Sequence, residues 1–134
     1  MSKNGKERMN SSVVGIDLGE KESVATYLLP DGTEKDQFTF TMNVDGYKAF
    51  SEKITKGVRI TFEDSGSAYS VDRNLKNLGY SDITVAHPKE LSWIIKSKKK
   101  NDHVDSNKLA RLHLVDMIPE SHLLDKDDRI SRIS

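Results

Sequence analysis

Val13-Val14-Gly15-Ile16-Asp17-Leu18-Gly19 constrains the fold more than any other stretch of the chain. It is almost wholly apolar and rich in β-branched residues, which predicts a strand buried on both faces. The run ends in one aspartate. A carboxylate at the end of such a strand is costly to desolvate unless a cation or hydrogen-bond donors receive it. Gly15 and Gly19 leave room for backbone or ligand to come close. Taken alone the pattern also describes an ordinary strand-end turn, so the rest of the chain has to decide.

The 134 residues suffice for one domain with a real core and are too few for two ordinary ones. No apolar stretch approaches the roughly 20 residues of a membrane span. Residues 1–11 are polar, lack the apolar core of a signal peptide and read as a disordered lead-in. The absence of cysteine excludes disulfides and thiolate metal sites and points to a cytoplasmic setting. With 21 basic and 21 acidic residues the net charge is zero, so any attraction for nucleic acid must be local.

Further along, Ser23–Leu29 predicts a second strand, Pro30-Asp31-Gly32 a turn, and Glu34–Thr41 a third strand with Phe38 and Phe40 alternating. Short connections make these three an antiparallel meander. The period then changes. Val44, Tyr47, Phe50 and Ile54 predict an amphipathic helix over 44–55, closed by Gly57. Val58–Phe62 is a fourth strand that runs into Glu63-Asp64-Ser65-Gly66. Ser65 or Ser67 can cap a helix carrying Ala68, Val71, Leu75 and Leu78, ended by Gly79. Asp82–Ala86 is a fifth strand, and His87-Pro88 opens a helix with Leu91, Ile94 and Ile95 on its apolar side. After Lys96-Ser97-Lys98-Lys99-Lys100-Asn101, a helix is expected from Asp102, carrying Leu109, Leu112 and Val115 and stopped by Pro119. Residues 121–134 are highly charged and look like the start of a helical connector to a longer protein.

The order β-β-β-α-β-α-β-α matches a ribonuclease H-like (RuvC-like) α/β topology: a mixed five-stranded sheet with flanking helices over residues 12–120. The first strand then lies centrally beside the fourth, which sets Asp17 next to Glu63. Asp102 and Asp105, three apart, would share the face of a helical first turn. Four converging carboxylates persist only with cations, and hard oxygen donors select Mg²⁺ or Mn²⁺ over zinc. Two such ions about 3.5–4 Å apart suit phosphodiester chemistry. The plainer alternatives stand beside this. Asp102 also suits an N-cap, Asp105 a helix-dipole partner, and Asp64 competes with Glu63 as the ligand. Lys96, Lys98, Lys99 and Lys100 suit either a solvated loop or a phosphate-binding run placed just before the last two carboxylates. His87 and His103 are expected on the surface and Trp93 in the core.

Gly15-Ile16-Asp17-Leu18-Gly19, Glu63-Asp64-Ser65-Gly66 and Lys100-Asn101-Asp102-His103-Val104-Asp105-Ser106-Asn107-Lys108-Leu109-Ala110 resemble the N-terminal DEDD domain of IS110-type transposases and pilin-gene invertases. Ser106 stands where that family usually has alanine. The resemblance implies metal ligation by Asp17, Glu63, Asp102 and Asp105, DNA recombination, and a structured guide RNA. It also implies a homo-oligomeric full-length protein, association with the nucleoid, and a C-terminal domain with a catalytic serine that this chain does not contain.

Three other readings compete. One is a stand-alone Holliday-junction nuclease of the same fold, and another a non-catalytic ribonuclease H-like binding module. The third starts from Val13–Gly19, which is also similar to the first phosphate loop of the actin, Hsp70 and sugar-kinase ATPases. Those need a second phosphate loop and a much longer chain, and neither is found here.

Overall fold

The computed structural model describes residues 11–95 and 104–121. Five strands, β1 (Val13–Asp17), β2 (Glu22–Leu28), β3 (Glu34–Thr41), β4 (Arg59–Glu63) and β5 (Asp82–Ala86), form one mixed sheet. Among the described residues there are four α-helices: α1 (Val44–Lys53), α2 (Ala68–Asn77), α3 (Pro88–Ile95) and α4 (Ser106–Leu114). The sheet order is β3-β2-β1-β4-β5, antiparallel through the meander and parallel from β1 to β4 to β5. β1 is central and lies beside β4, as the element order predicts.

Strand alternation sends Val14, Ile16, Ile60 and Phe62 to one face of the sheet. There they join Phe40, Phe50, Leu75 and Tyr80 under α1 and α2. Phe50 is the hub, its ring 5.1 Å from Phe40 and 5.5 Å from Tyr80. Burying one such side chain contributes about 2–3 kcal/mol. The other face, with Val13, Gly15, Leu28 and Arg59, lies under α4. Here glycine is required by space rather than by conformation. A Cβ on Gly15 would collide with the Ser106 carbonyl oxygen and sit 2.5 Å from the Ala110 nitrogen. Beside α4, Leu91 of α3 packs with Ala86, Val104 and Leu109.

Several helix limits differ from the sequence expectations, each for a local reason. Asn43 caps α1 by accepting the Gly46 N–H at 2.9 Å. Tyr47, Phe50 and Ile54 are buried, but Val44 is 83% exposed because the first helical position has only just left the edge strand. Gly57 does not close α1. Ile54 leaves the helix in extended conformation to bury its own side chain, so core packing ends it. Ser67 sits at the start of α2 without a side-chain capping bond, and Gly79 ends that helix at φ +106° as expected. α4 starts at Ser106, not Asp102, and closes well before Pro119. The Asp116 N–H donates to His113 and the Met117 N–H to Leu112, with Asp116 left-handed at φ 57°. Val115 therefore falls outside the helix and is 51% exposed.

The chain then returns to the sheet. Glu120 bridges Ala86 antiparallel and the Ser121 N–H donates to Val85 at 2.7 Å. Among the described residues no helix is long and apolar enough to cross a membrane.

Gly15→Ala should lower stability by about 2–3 kcal/mol through overpacking. Gly66→Ala, whose new methyl meets nothing within 4 Å, should change it by about 0.5 kcal/mol at most. Urea midpoints compare the two. A second expectation concerns alkali. Burial, and secondarily Tyr27, pushes the Tyr80 hydroxyl up to about 12, from about 10 in an unfolded chain. Between those values the unfolded chain releases a proton that the native chain keeps. Stability from this source is therefore complete below about pH 10 and falls as pH rises to about 12. Tyr80→Phe should flatten that fall, at a cost of about 1–2 kcal/mol at neutral pH for leaving the Ile54 carbonyl without the bond it accepts at 2.6 Å. Denaturant titrations of both proteins at neutral and alkaline pH read the difference.

Candidate functional site

Asp17 ends β1 and Glu63 ends β4, and the two strands run in parallel register with Gly15 opposite Thr61. Two residues further on, the same register sets Asp17 opposite Glu63. Alternation turns both carboxylates to the α4 side of the sheet. They line one small cavity of about 40 Å³ together with Ser65, and Leu18, Val104 and Leu109 form its apolar wall. That space exceeds the roughly 10–15 Å³ one water-sized body needs. Both carboxylates are half-buried, so their mutual repulsion is less screened than on an open surface.

Asp64 is drawn elsewhere. Its backbone N–H continues the ladder to Ala86 at 2.8 Å, and its carboxylate accepts a short hydrogen bond from the Ser121 hydroxyl. The partner of its carboxylate is therefore the returning segment after α4. Asp64 is absent from the cavity lining that contains Glu63.

Asp105 takes the N-cap role that the sequence offered as an alternative for Asp102. Its backbone is extended (φ −75°, ψ 170°) and its carboxylate accepts the Lys108 N–H at 2.8 Å, so it is the N-cap of α4. It is exposed and precedes the helix, so it does not share a helical first turn with Asp102. Asp102, His103 and the lysines Lys96, Lys98, Lys99 and Lys100 lie outside the described residues. Among the described residues, no group of three or more His, Cys, Asp or Glu side chains is arranged to hold a metal ion.

Other residues went unnoticed in the sequence. Arg59 is fully buried and donates to the carbonyls of His113 and Leu114, at 3.1 and 3.4 Å, where a cation meets the negative end of α4. Only its place in an apolar strand hinted at this. Ser106, the departure from the family pattern, shares a 2.7 Å hydroxyl–hydroxyl bond with Thr26 beneath α4. His87 is half-buried, not on the surface: its N–H donates to Pro119 at 2.7 Å and Nδ1 faces the Glu90 N–H at 3.4 Å. Trp93, expected in the core, is 65% exposed, because α3 is short and Leu91 alone among its residues is buried.

The cap and ligand roles of Asp105 separate by substitution. Asp105→Ala should cost about 1 kcal/mol of stability as a lost cap, while Asp105→Ser should recover most of it without a carboxylate. Mn²⁺ affinity measured on the serine variant then reports ligation alone. An affinity equal to that of the parent chain confines Asp105 to capping.

No protein-family model matches this chain, and no curated protein matches its sequence.

Proposed function

We propose that this chain is the metal-dependent catalytic domain of a DNA transposase or recombinase of the IS110 type, with a ribonuclease H-like (RuvC-like) fold. One observation carries the reading: Asp17 and Glu63 arrive from adjacent parallel strand ends at a single small cavity. The donor chemistry fits the implied ion. Both side chains are hard oxygen donors, no imidazole or thiolate among the described residues lines the cavity, and Mg²⁺ commonly takes one or two carboxylates with waters and substrate phosphate.

In this reading Asp17 and Glu63 are the inner pair of ligands, and Asp102 and Asp105, which precede α4 in the sequence, complete the set. Asp105 commits one oxygen to the Lys108 amide and retains the other. Bound Mg²⁺ or Mn²⁺, one ion or two, would supply phosphodiester polarisation and activation of an attacking oxygen. The apolar residues Leu18, Val104 and Leu109 close one side of the site beside the carboxylates. Lys96, Lys98, Lys99 and Lys100 are the DNA-contacting residues of the proposal. A structured guide RNA, a homo-oligomer, a nucleoid setting and a serine-bearing second domain rest on the family resemblance alone.

A second reading, a non-catalytic module of the same fold, is favoured by the capping role of Asp105. Mn²⁺ decides between them. Under the catalytic reading, Mn²⁺ at about 100 times its Kd should stabilise the chain by about 2.7 kcal/mol. Asp17→Asn and Glu63→Gln should each remove that gain, and Asp64→Asn should keep it. A thermal midpoint indifferent to Mn²⁺ over a wide concentration range would leave the binding module as the better account.

A further inference from the structure

α3 packs behind the apolar wall of the carboxylate cavity on its inner side and faces solvent on its outer side. Leu91 packs with Val104 and Leu109, which are two walls of that cavity. Trp93 follows Leu91 by two residues, about 200° around the helix, and so projects from the opposite face. It is 65% exposed, the largest side chain among the exposed hydrophobics and the only tryptophan of the chain. Lys89, one turn earlier, holds its ammonium 5.7 Å from the ring centroid. An exposed indole that carries a lysine over one face offers its other face as a π surface for a base, and the lysine as a cation for the adjoining phosphate. Lys89 and Glu90 cancel within α3, so it is the sequence beyond Ile95 that favours a polyanion over an apolar protein surface. In the sequence, the chain leaving α3 at Ile95 continues Lys96-Ser97-Lys98-Lys99-Lys100.

We propose that Trp93 is a stacking platform for an unpaired base of a nucleic-acid strand, with Lys89 as its phosphate-side companion. The inference rests on the reading of the chain as a nucleic-acid enzyme and adds to it a contact that requires a single-stranded or unstacked region. A base inside a duplex already has both faces covered, whereas every unpaired base presents one to the indole.

The lone tryptophan makes the test direct. Single-stranded oligodeoxynucleotides should quench its emission, while duplexes of the same length and an abasic strand of equal charge should quench it far less. Trp93→Ala is a surface change, and it should weaken single-strand binding roughly 5- to 150-fold, the range of one lost base–aromatic stack. Trp93→Phe should restore most of that, and duplex binding should change little in either variant. Single-strand binding with unaltered emission, equally tight in Trp93→Ala, would overturn the platform and leave the catalytic reading intact. If no nucleic acid binds while Mn²⁺ still stabilises the chain through Asp17, the platform falls and the metal site survives. Emission that shifts with protein concentration alone, abolished in Trp93→Ala, would assign the indole to a protein contact and likewise overturn it.

Discussion

The backbone contact between Gly15 and α4 is the constraint on which the rest of the structure depends. With no side chain at position 15, the Ser106 carbonyl and the Ala110 amide settle directly on the central strand. The helix is then located by short-range repulsion, which rises too steeply to tolerate even one methyl group. Thr26 of β2 adds a hydroxyl bond to Ser106 at the same point, and Thr26 in turn accepts from Gln37 of β3. Helix and meander are thereby joined by polar groups that have little room to slide.

Both ends of α4 are held as well. The Asp105 carboxylate meets the Lys108 amide at its start, and the buried Arg59 guanidinium meets its last carbonyls. A guanidinium removed from water is tolerated here because carbonyl oxygens at the negative end of a helix take the place of solvent. The consequence reaches the site. Val104, just ahead of the cap, and Leu109, in the helix, form the wall facing Asp17 and Glu63. The cavity therefore takes its shape from a helix fixed at its base and at both termini.

The returning segment does comparable work at the other side of Glu63. The Ser121 hydroxyl occupies Asp64, and Ser121 and Glu120 cover part of the outer edge of β5. Of two adjacent carboxylates, Asp64 is thus engaged by the Ser121 hydroxyl and Glu63 lines the cavity. Edge strands that stay open invite pairing with other chains, so this segment also limits what β5 can meet.

The strands, their order and the neighbouring positions of Asp17 and Glu63 were legible in the residues. A doubly buried β-branched run, a Pro-Asp-Gly turn and a switch from twofold to helical period are local signals. The strand ends then follow from a topology with few alternatives. Helix ends were not legible to the same degree. Whether Gly57 or Ile54 ends α1, and whether Asp102 or Asp105 starts α4, turns on which residue the core or the cap accepts, and that is a contact between distant segments. The same holds for Arg59, Asp64, Ser106 and Trp93. An apolar strand only hints that its arginine is buried, and nothing local distinguishes a tryptophan facing solvent from one in the core. Sequence by itself determined the sheet and the pairing of two carboxylates, because periodicity and chain order encode them. Tertiary structure alone decided which polar groups face one another across the sheet and which aromatic faces water, because burial and hydrogen-bond partners exist only once α4 has settled on Gly15.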